Sequence, residues 1–134
     1  MSHRVMIVVT HLLGTGHLAR ALVLARAFVQ AGDEVVLVSG GVPVAHLDST
    51  GLRLEQLPPL RSDGTNFARL LDEDGKEAGS AVFEARRAAL LTCFADAQPD
   101  ILITELFPFG RAKSKSRERN QNKHQEGERW SCCK

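Results

Sequence analysis

The hydrophobic positions of this chain change period in a regular succession. Val5 to Val9 is an unbroken apolar run of strand length, rich in β-branched residues, which suits a strand buried on both faces of a parallel sheet. His11-Leu12-Leu13-Gly14-Thr15-Gly16-His17 follows at once as a loop. From Leu18 the spacing becomes helical. Leu18, Leu22, Ala25 and Val29 share one face, Leu24 and Phe28 widen it, and Gly32 stops the helix. Glu34 to Ser39 returns to the buried-strand pattern, and Gly40-Gly41-Val42-Pro43 makes a loop at its carboxyl end. Val44 to Ser49 predicts a short helical turn. Leu52 to Leu57 alternates apolar and polar residues, the pattern of a strand nearer an edge, and Pro58-Pro59 ends it.

Residues 60–79 are polar and loop-like. Asp63-Gly64 and Asp74-Gly75 are turn signals there, with a helical turn expected around Phe67 to Leu71. Ser80 is placed to cap a helix from Ala81 to Ala97, whose inner face would carry Phe83, Leu90, Leu91 and Phe94. After Pro99-Asp100, Ile101 to Thr104 predicts a fourth strand of the buried type. This succession argues an α/β fold, a partial Rossmann-like parallel sheet in the order 3-2-1-4 with flanking helices. Ligands of such sheets bind beyond the strands' carboxyl ends, where the strand order switches. His11 to His17 and Glu105 to Phe109 would face each other across that crevice. No internal repeat appears.

Composition changes this picture in one place. A hydrophobic content of 43%, a charged content of 25% and a net charge of +1 over 134 residues are ordinary for one globular domain and imply no particular partner. No apolar run approaches the roughly 20 residues of a membrane span, and the amino terminus lacks the pattern of a signal peptide. A cytoplasmic location is therefore expected, with peripheral membrane association left open. Cys93 reads as a core residue, whereas Cys132 and Cys133 are adjacent and poorly disposed to bond each other. From Ala112 onward no Val, Ile, Leu, Met or Phe occurs, and residues 112–134 carry seven Lys/Arg against three Glu. That composition predicts a disordered basic tail. Only Trp130 could stack a base, so no nucleic-acid partner is expected beyond non-specific attraction.

Candidate chemistry concentrates in the first loop. Glycines let backbone approach a ligand without a Cβ clash, and the helix that follows offers unpaired N–H groups at its positive end. Gly14, Thr15 and Gly16 are thus candidates to bind phosphate, diphosphate or a sugar hydroxyl. Gly14 to Ala19 matches the dinucleotide pattern G-x-G-x-x-A. Three residues nevertheless separate the strand from the first glycine, and Ser39-Gly40 stands where an acidic ribose ligand is expected. No Walker lysine follows. Asp72, Glu73 and Asp74 are spaced for no recognised metal site and read as solvated.

The stretch THLLGTGHLARALVLARAFVQAGDEVVLVSGG, Thr10 to Gly41, resembles the amino terminus of glycosyltransferases of the GT-B fold. It is closest to the MurG-like family 28 group, through Gly14, Gly16 and His17 and then Gly32 to Ser39. LRLEQLPPLR, LLDEDGKEAG and PDILITELFPFGR also look like a subgroup of predicted bacterial glycosyltransferases related to MurG, so the likeness runs from about Arg4 to Arg111. The resemblance implies that this is the acceptor half of an enzyme whose second domain holds a nucleotide-sugar donor, usually a UDP-sugar. It implies no metal and no resident cofactor, and a sugar or lipid-linked acceptor as partner. The loop histidine of related members is a candidate general base on the acceptor hydroxyl, which carries over to His17. Imidazole suits that role, because its ordinary pKa lies near neutrality. Glu105 is placed for an acceptor contact or as a partner of His17. His11 is a further substrate contact or a structural group.

The chain departs from that family after Arg111. The donor half and the later βα units are missing from the likeness, so a fragment inactive alone is expected. A frameshift accounts most simply for the abrupt junction at Ala112. A sheet cut after its fourth strand would also leave an apolar edge prone to aggregation. The alternative is a non-catalytic α/β nucleotide- or phosphate-binding module with a basic interaction tail.

Overall fold

In the computed structural model, which describes residues 1–105, the first apolar run forms strand β1 (Arg4–Val9) and the loop after it leads into helix α1 (Gly16–Gln30). Strands β2 (Glu34–Ser39) and β3 (Arg53–Gln56) follow, then two short strands, β4 (Arg61–Ser62) and β5 (Leu70–Leu71). Helix α2 (Ser80–Ala97) and strand β6 (Ile101–Glu105) complete the described chain. The expectations for Leu106 to Phe109 and for the tail of residues 112–134, with Trp130, Cys132 and Cys133, lie outside the described residues.

The main sheet has the order β3-β2-β1-β6, and all its pairings are parallel. With β6 as the fourth strand of the sequence pattern, this is the expected order. Alternation of side chains across the pleat divides the core into two layers. Val5, Ile7, Val9, Val35 and Leu37 face α1, meeting Leu18, Ala21, Leu22 and Ala25. Met6, Val8, Val36, Val38 and Leu57 face the other side, meeting Leu90 with Ala89, Cys93 and Ala97 of α2. β1 is central and buried on both faces, which is why its run is continuous and not alternating.

Several local expectations are corrected. Residues 67–71 do not extend a helical turn; Leu70 and Leu71 pair antiparallel with Ser62 and Arg61. Leu60, Leu70 and Ala78 then close a small third cluster with Leu12, Val82 and Phe83. Asp63 and Asp72 are turn-formers. Asp63 Oδ1 accepts the Thr65 and Asn66 N–H groups, and Asp72 Oδ1 accepts those of Asp74 and Lys76. Val44 to Ser49 makes only a turn. α1 starts at Gly16, before Leu18, and its buried face is Leu18, Ala21, Leu22 and Ala25, while Leu24 and Val29 are exposed. α2 is capped by Gly79, not Ser80, and without a side-chain bond. Of its expected inner face, Leu90 is buried and Phe83 half-buried, but Leu91 and Phe94 face solvent; Arg86 takes their place inside. β6 is not of the buried type either, since Ile101 and Leu102 are exposed among the described residues.

Candidate functional site

Register brings the ends of three strands level. Val9 pairs with Ser39 on one side and with Glu105 on the other, so β1, β2 and β6 finish on one line. The turns beyond that line are stitched together. Leu57 N–H donates to Ser39 O at 2.8 Å, Leu60 N–H to Gly40 O at 3.1 Å, and Ser62 N–H to Leu12 O at 2.9 Å.

Beneath this stitching lies a group that sequence reasoning missed. Arg86, 4% exposed, reaches from α2 to the exits of β1, β2 and β3. Its Nη1 donates to Gly40 O at 2.8 Å and to Pro58 O, and Nη2 lies 3.5 Å from Thr10 Oγ1. Burial pulls its pKa down to about 10, so the guanidinium remains charged at neutral pH. Nε–H has no partner among the described residues. The signal was present in the chain: Arg86 sits between Phe83 and Leu90 on the face read as apolar.

His11 is drawn into the same scaffold. It is 5% exposed, and its Nε2–H donates to Val42 O at 2.9 Å, which leaves Nδ1 as the lone-pair nitrogen of a neutral ring. Its pKa is lowered chiefly by burial, partly offset by the bond to Val42. His11 therefore tethers the β2 exit loop to the β1 exit loop; it is not presented to solvent.

The glycine turn itself stays out of the core. Gly14 adopts φ +73°, open to glycine at little cost, and a Cβ at either Gly14 or Gly16 would meet nothing within 4 Å. Thr15 precedes α1 without making a side-chain cap, and the helix opens with the bond from Ala19 N–H to Thr15 O at 2.9 Å. His17, in the first turn, points its Nδ1 at Glu105 Oε1, 3.0 Å away. Arg20, one turn further along α1, donates from Nη1 to the same oxygen at 3.0 Å. The side chains of His17 and Glu105 are 38% and 18% exposed, so the pair lies at a surface without being dispersed in water. A carboxylate oxygen only accepts, so His17 donates from Nδ1–H, and in the neutral form of the ring the lone pair is then on Nε2.

The structure thus joins His17, Gly14, Thr15, Gly16 and Glu105 in one place and separates His11 from them by burial. Arg20 was unforeseen, although its spacing of three from His17 puts both on one helix face. Among the described residues no group of three His, Cys, Asp or Glu side chains could hold a metal, and no helix is long and apolar enough to cross a membrane. A shallow hollow of about 150 Å³ at the opposite edge, lined by Arg4, Glu34, Arg53 and Asp96, mixes both signs of charge and converges on nothing. No protein-family model, no curated protein and no solved structure matches this chain.

Proposed function

We propose that this chain is the acceptor-side portion of a glycosyltransferase using a nucleotide-sugar donor, with His17 as general base. The observation that supports it is the 3.0 Å contact between His17 Nδ1 and Glu105 Oε1 at the mouth of the glycine turn. A carboxylate that holds Nδ1–H fixes the tautomer in which Nε2 can take a proton. In the transfer, Nε2 removes the acceptor hydroxyl proton while that oxygen attacks the anomeric carbon. The bond from that carbon to the diphosphate breaks, and the nucleoside diphosphate leaves. Gly14 to Gly16 would give the acceptor room to approach backbone N–H groups. The resembled family holds its donor in a second domain, so the described residues would bind and activate only the acceptor.

A phosphate-binding module without catalysis is the second reading, and the uncapped start of α1 favours it. Glu105 counts against it, because a carboxylate beside that turn opposes an incoming phosphate. One titration separates the two. The 15N-labelled chain is titrated with octyl glycosides, UDP and inorganic phosphate while amide resonances are followed. The glycosyltransferase reading expects the glycosides to move Gly14 to Leu18 and Glu105, with affinity reduced about fivefold in His17→Ala for one lost hydrogen bond. Saturation by phosphate or UDP alone, with glycosides silent at those amides, would overturn it.

A further inference from the structure

The geometry points to Arg20 as a positioning residue that holds the Glu105 carboxylate where it selects the tautomer of His17. Three facts converge. Arg20 and His17 are three residues apart on α1 and share one face. Both bond the same atom, Glu105 Oε1, at 3.0 Å. Glu105 is the last residue of β6, and its side chain is 18% exposed whereas that of Arg20 is 74% exposed. One imidazole bond leaves a glutamate side chain rotamer freedom, and a second donor from the helix narrows it. Arg20 reaches Glu105 from solvent and has no need to touch an acceptor. Its effect passes through the oxygen that it shares with His17.

This role rests on His17 serving as base through Nε2, yet its test contains no sugar and no transfer step. Ring-nitrogen chemical shifts of His17 are read in the full-length 15N-labelled chain at pH 8, above the ordinary imidazole range. They report the ratio of the Nδ1–H to the Nε2–H tautomer. Glu105→Gln serves as the reference for complete loss of the carboxylate. Arg20→Ala is expected to move the ratio about two- to fivefold toward that reference, the range of an exposed ion-pair contribution. Arg20→Lys should restore part of it, since an ammonium can reach one carboxylate oxygen. An unchanged ratio in Arg20→Ala, with Glu105→Gln shifted, would overturn the Arg20 role and leave the acceptor reading standing. An unchanged ratio in Glu105→Gln would remove the dyad on which both depend. If glycoside binding fails while Arg20→Ala and Arg20→Lys behave as stated, the positioning role survives and the glycosyltransferase reading falls.

Discussion

At the scale of single residues, two adjacent glycines differ in what their missing side chains allow. A Cβ at Gly40 would lie 2.5 Å from both Arg86 Nη2 and Thr10 Oγ1, which are side-chain ends. A Cβ at Gly41 would lie 2.3 Å from the His11 carbonyl oxygen, which is backbone and cannot swing away. Gly40→Ala should therefore cost about 1–3 kcal/mol, the range for overpacking, and Gly41→Ala more. Urea unfolding of the two variants checks the order. Arg86→Met strips a donor from Pro58 O, at about 1–3 kcal/mol for a carbonyl left unpaired, whereas Gly40 O keeps the Leu60 N–H. In that background Gly40→Ala should cost less than it does alone, because one of its two obstructing atoms is gone. Additive costs would mean that Thr10 alone limits the space. His11 adds a pH dependence. Its folded pKa is lowered from 6.5, so the unfolded chain takes up its proton first as pH falls. The stability it confers is complete above about pH 6.5 and is lost progressively below, toward its lower folded pKa. Chemical denaturation at pH 7.5 and pH 5 should show a larger loss for the parent than for His11→Asn.

At the scale of elements, α2 is held by packing more than by its ends. Gly79 caps it in an extended conformation without a side-chain bond, and a Cβ there would meet nothing within 4 Å. Gly79→Ser should add a few tenths of a kcal/mol through the cap and up to about 1 kcal/mol through the unfolded chain. At the other end Gln98 occupies the left-handed region at φ 43°, where glycine carries no Cβ penalty. Gln98→Gly should raise the midpoint of thermal unfolding, and a lowered midpoint would show that its 3.5 Å contact with Arg4 outweighs the backbone strain. These ends also show where the chain's pattern was legible. Ser80 followed by an apolar run is a sound capping signal, but the glycine before it took the cap. β1 and β2 could be read to within a residue, since a strand buried on both faces has no alternation to confuse. The inner face of α2 could not. Arg86 replaces an apolar side chain because three strand exits leave carbonyl and hydroxyl groups pointing at it, a need that arises only once distant segments meet. The same holds for His17 and Glu105. Their types and their place in the chain made them candidates, but the shared oxygen with Arg20 depends on the register of β6 against β1.

At the scale of the whole molecule, the sheet's two edges are secured by different chemistry, and that difference can be separated by acid. The carboxyl edge depends on the buried Arg86, whose acceptors are carbonyls and a hydroxyl and do not titrate, and on His11, whose contribution is lost at higher pH than that of Asp100. The amino edge depends on carboxylates. Asp100 accepts the Arg4 backbone N–H at 2.9 Å and its guanidinium at 3.0 Å and 3.3 Å, while Asp100 N–H returns to Arg4 O at 2.8 Å. These bonds, the guanidinium foremost and then the Arg4 N–H, hold the Asp100 carboxyl down at about 2. Asp33 similarly accepts the His3 N–H at 2.8 Å. A carboxyl whose folded pKa lies below its unfolded value confers stability present above the unfolded value and lost as pH falls through the folded one. For Asp100 that window runs from about pH 4 down to about pH 2. With His11→Asn removing the acid-sensitive group of the carboxyl edge, acidification across it should therefore free the start of β1 from the start of β6 before the carboxyl edge yields. Hydrogen exchange by mass spectrometry should show peptides covering Arg4 to Met6 and Asp100 to Leu102 losing protection first, with those covering Thr10 and Gly40 still protected. Asp100→Asn should show that early loss already at neutral pH and lose little more on acidification. Simultaneous loss of protection at both edges would mean that the sheet opens as one cooperative unit. In that event the Arg4–Asp100 pair contributes to the stability of the whole fold and not of one border alone.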